Sequence, residues 1–184
     1  MNSFNIIIAG CPNVGKSTLF NRLIRKSTAI VDNVPGTTRD YKRAKLQVGK
    51  LPCNLYDTAG IDDSSDNYLN KEISSKTRLL LDSADLILFM TDAKAGLTGN
   101  DIEFANSLRK YKSKILLLTN KMETKAGEQG IWDFFSLGME NPIPVSAAHG
   151  IGVSALLEKI EEYLKPRNFH FGFSQELDQN GTKG

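Results

Sequence analysis

Cysteine is scarce in this chain. Cys11 and Cys53 are the two thiols in 184 residues, which excludes a disulfide framework and fits reduced side chains. Long apolar runs are also missing. Stretches such as Leu86 to Met90 fall far short of the ~20 residues that cross a bilayer. No basic segment precedes an apolar one at the N-terminus, so a signal peptide is not expected and a cytoplasmic location is. Neither charge sign dominates: 23 basic against 21 acidic residues leave +2, which makes no electrostatic case for nucleic acid. There is no internal repeat and no low-complexity block. What remains is an ordinary globular composition, 40% apolar and 24% charged, with length enough for one domain and a true core.

The most informative stretch is Gly10-Cys11-Pro12-Asn13-Val14-Gly15-Lys16-Ser17-Thr18. It follows a strand-like run, Phe4 to Ala9, and precedes helix-like Leu19 to Ile24. Its core is G-x-x-x-x-G-K-[ST], a phosphate-binding loop. Gly10 and Gly15 reach turn conformations closed to residues with a Cβ. The loop amides, Asn13, Val14 and Thr18 among them, then surround a phosphate at a helix N-terminus, where donors are unpaired and the dipole favours an anion. Lys16 reaches β- and γ-phosphates, and Ser17 ligates Mg²⁺. By itself the loop leaves ATP and GTP, kinase and hydrolase, open.

Hydropathy patterning places the rest. Lys16 to Arg25 reads as a helix with Leu19, Phe20, Leu23 and Ile24 on one face. Residues 26–40 read as a loop broken by Pro35-Gly36. Tyr41 to Val48 and Leu51 to Asp57 read as strands joined at Gly49-Lys50, an antiparallel hairpin. Thr58 to Asn70 is polar, and Lys71 to Ser83 is helical with Ile73, Leu79 and Leu80 among its apolar positions. Strands follow at Asp85 to Thr91, Lys114 to Thr119 and Ile143 to Val145. Helices are expected at about Asn100 to Tyr111, Ile131 to Leu137 and Val153 to Leu164. This alternation predicts an α/β fold: a mostly parallel six-stranded sheet with one antiparallel strand and helices on both faces. Residues 1–165 form the domain, and 166–184 read as a linker or disordered tail.

Four further stretches sit at strand ends, where ligands bind such sheets. Asp57-Thr58-Ala59-Gly60 places a carboxylate for Mg²⁺ and a glycine N–H against a γ-phosphate. Thr37-Thr38-Arg39-Asp40 lies in the loop after the first helix; a threonine there can complete the Mg²⁺ shell and release the loop when the γ-phosphate leaves. Asn120-Lys121-Met122-Glu123 offers a carboxylate that accepts from the ring N–H and amino group of guanine, while the Lys121 stem covers the base. Adenine would leave buried groups unpaired there, at about 1–3 kcal/mol each. Val145-Ser146-Ala147 offers a backbone N–H to the guanine carbonyl.

Together, Gly10–Ser17, Thr38, Asp57–Gly60, Asn120–Glu123 and Ser146–Ala147 resemble the five nucleotide-binding motifs of translation-factor-class GTPases. The form Gly-x-Pro-Asn-Val-Gly-Lys-Ser resembles the Era/TrmE/Der branch. Phe134 to Gly138 and Pro142 to Gly150 look most like the first GTPase domain of the Der (EngA) family of bacterial ribosome-assembly GTPases. The resemblance covers about residues 4–164. It implies a P-loop, Ras-like G domain that binds and hydrolyses GTP, with Lys16, Thr38 and Gly60 at the reacting phosphate. Gly10, Asn13, Val14, Gly15, Lys16, Ser17, Thr18, Asp57, Gly60, Asn120, Lys121, Glu123, Ser146 and Ala147 would bind nucleotide. Ser17 and Thr38 would ligate Mg²⁺ with Asp57 behind them. Asn13 matches the asparagine that seats K⁺ in potassium-stimulated members. Expected partners are a ribosomal particle, a second GTPase domain and a KH-like domain in an intact chain, and no membrane.

Three positions depart from the general pattern. Glu123 stands where most GTPases carry Asp. Ile61 stands where Ras-like enzymes place a water-orienting Gln, which implies slow intrinsic hydrolysis. Cys11 occupies a position often basic in relatives; a thiol near a helix N-terminus can have a lowered pKa, or simply fill space. Alternatives are a nucleotide-gated docking module with little hydrolysis, and an Era- or TrmE-like G domain. His149 and Trp132 read as structural, Trp132 packing a short helix.

Overall fold

In the computed structural model, residues 3–27, 41–59 and 74–179 are described, the side chains only as far as 167. The expectations for residues 28–40, for Gly60, Ile61 and the rest of 60–73, and for 180–184 lie outside the described residues, Thr38 among them.

The sheet grows from strands that are apolar along most of their length. Along β1 (Phe4–Ala9), Phe4, Ile6 and Ile8 enter one core while Ile7 and Ala9 enter another. β4 (Leu86–Asp92) and β5 (Ile115–Asn120) repeat the alternation, with Leu86, Leu88, Leu116 and Leu118 on the first side and Ile87, Phe89, Ile115 and Leu117 on the second. A strand buried on both faces reads as a continuous apolar run, which is why these three were plain from sequence. β2 (Lys42–Val48) alternates instead, with Ala44, Leu46 and Val48 inward, as suits an edge strand. It pairs antiparallel with β3 (Leu51–Asp57) around Gly49-Lys50. The order is β2-β3-β1-β4-β5-β6, where β6 (Ile143–Pro144) is two residues long and every other pairing is parallel. The expected six-stranded sheet with one antiparallel strand is the observed one.

Helices cover both faces. α1 (Lys16–Lys26) contributes Leu19, Phe20 and Leu23 to the first core, together with Val153, Leu156, Ile160 and Leu164 of α5 (Val153–Gln179). α2 (Ser75–Ser83), α3 (Gly99–Ser107) and 3₁₀ turns at Arg109–Lys114 and Ile131–Leu137 cover the other face. α3 begins at a reciprocal cap: Asp101 N–H donates to the Thr98 hydroxyl, and Thr98 N–H donates to the Asp101 carboxylate at 3.0 Å.

Several expectations are corrected. The helix expected from Lys71 is described from Ser75, where Ser74 caps it by accepting from Thr77 N–H. Its inner face carries Thr77 and Leu81, one turn apart, so Leu79 faces outward at 71% exposure. A short α4 (Lys125–Gly130), which the pattern did not suggest, precedes the 3₁₀ turn that holds Phe134 in the core. Trp132 does not pack that turn inward. It is 71% exposed and stacks on Phe135 with ring centroids 5.7 Å apart.

α5 also outruns its apolar periodicity. Leu164 is the last buried leucine among the described side chains, and the helix continues through residues 166–179, within the stretch expected to be a linker or disordered tail. Pro166 lacks the N–H that would bond one turn back, which normally ends a helix. Here the neighbouring turn is fastened: Tyr163 OH donates to the Ser113 carbonyl at 2.6 Å, and the Arg167 guanidinium lies 3.9 Å over the Tyr163 ring.

Candidate functional site

The carboxyl ends of β1, β3, β4 and β5 open on one side of the sheet, and those of β1, β3 and β5 each feed a residue singled out above. After β1 the chain turns through Gly10 (φ 151) and Asn13 (φ 62) to Gly15 (φ 104), and α1 begins at Lys16. At Gly10 a Cβ would stand 2.2 Å from the Met90 carbonyl oxygen of β4; at Gly15 it would stand 2.3 Å from the Asn120 amide nitrogen. The glycines therefore answer two demands, backbone dihedral and close approach of neighbouring strands. Asn13 is exposed in the left-handed region, which asparagine tolerates better than most residues.

Lys16 is 3% exposed, and its ammonium donates to the carbonyls of Gly10 at 2.8 Å and Cys11 at 2.9 Å. Its charge is thus held inside the loop that the amides line. The Ser17 hydroxyl donates to Oδ2 of Asp57 at 2.6 Å. Asp57 is 1% exposed at the end of β3, and its other oxygen accepts from Ala59 N–H at 3.0 Å. Thr58 behind it is tied to the Ile8 carbonyl at 3.0 Å, which locks the ends of β1 and β3 together.

Mg²⁺ takes hard oxygen ligands, keeps several waters, and uses one or two protein groups plus phosphates. A hydroxyl and a carboxylate already within hydrogen-bond distance fit that requirement. Among the described residues no set of three or more His, Cys, Asp or Glu makes a protein-only metal site, so a cation here would lean on phosphate oxygens as well.

The end of β5 carries the second half. Asn120 is 4% exposed; its amide donates to the Val14 carbonyl at 2.8 Å, and its carbonyl oxygen accepts from Ala147 N–H at 2.9 Å. One side chain thus ties the phosphate loop to the loop after β6. Within the stretch expected to offer a backbone N–H to guanine, that of Ala147 is directed at Asn120. Lys121 has φ 67, and its ammonium reaches the Asn13 carbonyl at 3.1 Å and pairs with Asp92. Asp92 caps the turn after β4 by accepting from Lys94 and Ala95 N–H at 2.9 and 3.1 Å.

Glu123 sits beside Ser146 and His149. A hydrogen bond from the Ser146 hydroxyl holds its carboxyl below the usual range, its own backbone N–H acts in the same sense, and the charges of His149 and Lys121 add to both against a small burial effect. By contrast, Cys53 is pushed up to about 12 by burial, an inert thiol within the core. Cys11 is buried too, consistent with space-filling.

Sequence reasoning did not find Arg22 or Asp92. Arg22 lies on the half-buried flank of α1, and its guanidinium donates to the carbonyls of Ala147, at 2.9 Å, and Ala148. The signal for such a residue was its place one turn past the phosphate loop, on the side facing α5, which only the packing of α1 discloses. Asp92 carried a faint signal as a carboxylate closing an otherwise apolar strand.

Comparison with known proteins agrees with this geometry. Residues 5–121 match the family model described as 50S ribosome-binding GTPase. GTPase Der of Hyphomonas neptunium is 45% identical over 164 residues, covering 89% of this chain and 32% of that protein. GTPase Der of Rhodopseudomonas palustris is 39% identical over 176 residues, 96% of this chain and 38% of that one. The chain therefore spans about a third of the length of the curated relatives it matches. Among solved structures, Era of Aquifex aeolicus bound to GDP and aluminium fluoride superposes with TM-score 0.68 at 27% identity, over 89% of this chain and 57% of that one. Era in complex with MgGDPNP and a segment of 16S ribosomal RNA gives TM-score 0.69 at 26% identity, with the same coverage.

Proposed function

Since the chain belongs to the 50S ribosome-binding GTPase family, we propose that it is a G domain of the Der type that binds GTP and GDP and hydrolyses GTP as a molecular switch. The observation that carries this reading is Asn120, which joins the Val14 carbonyl to the Ala147 N–H and so makes phosphate loop and base loop one site. Lys16 and the amides after Gly10 hold the phosphates. Glu123 accepts from the two donors on the guanine edge, and the Lys121 stem covers the ring. The relatives that match over most of this chain are named GTPase Der, which favours that branch over an Era- or TrmE-like one.

Mg²⁺ fits at Ser17 and Asp57, joined by Thr38 from the loop after α1; when bound it neutralises charge on the β- and γ-phosphate oxygens. The Ser17 hydroxyl, its proton given to Asp57, would offer a lone pair to the cation, while Ala59 N–H keeps the carboxylate in place. Asn13, exposed at the lip of the loop, is the side chain offered to K⁺. Ile61 has no group to orient water, so intrinsic hydrolysis is slow and K⁺ is the expected stimulant. Gly60 would give its N–H to the γ-phosphate. In an intact protein this domain, bounded near residue 165, works beside a second G domain and a KH-like domain on a large-subunit ribosomal particle in the cytoplasm. Among the described residues no helix is long and apolar enough to cross a membrane.

The test is phosphate release from GTP with Mg²⁺, in potassium and then in sodium, beside titrations of labelled GDP, GTP and ATP. Slow turnover, faster in potassium, with ATP unable to compete, supports the reading. Bound nucleotide without turnover in either salt sinks the hydrolase, and ATP competing equally sinks the guanine assignment.

A further inference from the structure

His149 lies three residues past the base-reading turn, and its ring Nδ1 stands 3.1 Å from the Ser146 hydroxyl oxygen and 3.9 Å from Glu123 Oε1. The backbone around it is tightly closed. Gly150 N–H donates to the Ser146 carbonyl at 2.7 Å, Ser146 N–H donates to the Ile151 carbonyl at 2.9 Å, and Gly150 and Gly152 have φ 74 and 75. The imidazole is therefore delivered to Ser146 by a fixed loop, although its side chain is 60% exposed and buries little.

Ser146 has a single hydroxyl proton. If Nδ1 accepts it, Glu123 loses its serine donor. If Nδ1 carries a hydrogen, it donates to the Ser146 oxygen, which also receives His149 N–H at 3.4 Å, and the hydroxyl proton is left for a third acceptor; Glu123, with Oε1 3.9 Å from the same ring nitrogen, is the carboxylate beside it. The second arrangement satisfies every group in the chain. It also answers a need created by the sequence. Glutamate has one more rotatable bond than the aspartate usual in this motif, so its carboxylate loses more freedom when held against a base.

We propose that His149 is a positioning residue for base recognition: it donates from Nδ1 to Ser146 and thereby commits the Ser146 hydroxyl to holding the Glu123 carboxylate toward the base. This rests on the reading of Glu123 as the guanine acceptor. His149 itself touches no nucleotide. Its effect appears as discrimination between guanine and hypoxanthine, which differ by the exocyclic amino group that a correctly aimed carboxylate accepts from.

Calorimetric titration of GDP and IDP into the wild-type chain and into His149→Ala, His149→Asn and Glu123→Ala tests it. His149→Ala should weaken GDP about 5–10-fold and IDP less than about twofold, the loss of one oriented charge-assisted bond. His149→Asn, whose amide can donate to Ser146, should restore the GDP/IDP ratio. GDP and IDP weakened alike by His149→Ala means a loop-shaping role and overturns the proposal. So does a ratio that collapses in Glu123→Ala but holds in His149→Ala. A wild-type ratio near one, or no change in Glu123→Ala, overturns the guanine reading and the proposal with it. Circular dichroism of His149→Ala separates these outcomes from misfolding.

Discussion

The phosphate end and the base end of the site are built differently. At the phosphate end most of the work is done by main chain: a loop held by Gly10 and Gly15, amides at the start of α1, and the Lys16 ammonium folded against two loop carbonyls. Distant elements touch it at few points: Asp57 at Ser17, and Asn120 and Lys121 at the loop carbonyls of Val14 and Asn13. At the base end side chains from scattered places do the positioning: Arg22 from α1, Asp92 from β4, Asn120 from β5 and His149 from the loop after β6. A backbone-built site depends on dihedral angles and tolerates few residue types locally. A side-chain-built site depends on long-range packing and is open to tuning one contact at a time.

Asn120→Ala strikes the joint between the two ends and should have the largest effect. It leaves the Val14 carbonyl and the Ala147 N–H unpaired in a buried place, at about 1–3 kcal/mol each. For a chain of this size that lowers Tm by about 5–15 °C, and GDP affinity should fall about 100-fold. Differential scanning calorimetry and GDP titration check both. If GDP binding survives with only Tm lowered, the two ends work independently and the comparison fails.

Ser17→Ala confines the damage to the phosphate end. Asp57 keeps its bond from Ala59, so the loop should stay formed. GDP affinity should fall about 10–50-fold with Mg²⁺ present and less than about twofold in chelator, since the serine oxygen is a ligand of the cation rather than of the phosphate. Base preference, read as the GDP/IDP ratio, should not move. A changed ratio would mean that the ends communicate through α1.

The same contrast explains what the residues disclosed in advance. Phe4 to Thr18 was readable because strand, turn and helix lie contiguously and each part constrains its neighbour: a mostly apolar strand, two glycines, then lysine and serine. The mostly parallel sheet with one antiparallel strand was legible in three doubly buried strands and one alternating hairpin, while the strand order was not. Leu79 shows that apolar content is not apolar periodicity: Thr77 and Leu81, not Leu79, share the inner face. Trp132 was expected to pack a short helix, and it does so from the outside, exposed and stacked on Phe135 of the same turn. Arg22 was invisible because nothing local distinguishes it from Arg25, which is exposed one turn later. Only the docking of α1 against the loop after β6 turns one arginine into a clamp.

Arg22→Ala should therefore loosen the base end alone. Its fork donates to two successive carbonyls, so GDP affinity should drop about 3–10-fold through faster release, with the Mg²⁺ dependence intact. Arg22→Lys should restore less than half of the loss, because one ammonium cannot repeat the planar two-carbonyl geometry. Stopped-flow displacement of labelled GDP measures the release rate. Full rescue by lysine would mean that charge, not the fork, holds the loop.

The smallest effect concerns acid. Glu123 has its carboxyl held below the ordinary glutamate range, by the Ser146 hydroxyl first. A carboxylate with a depressed folded-state pKa stabilises the fold above its unfolded value, and that contribution disappears as pH falls through the lower folded value. Glu123→Gln should therefore lower Tm near neutrality by about 2 °C or less, as expected for a largely solvent-facing group. The difference from wild type should vanish once the pH lies below the ordinary glutamate range. Ser146→Ala should bring the loss of that difference to a higher pH, since it removes the leading cause of the shift. A difference that persists unchanged into acid would mean that Glu123 contributes to the fold through packing, not charge, and the base end would then resemble the phosphate end more closely than its hydrogen bonds suggest.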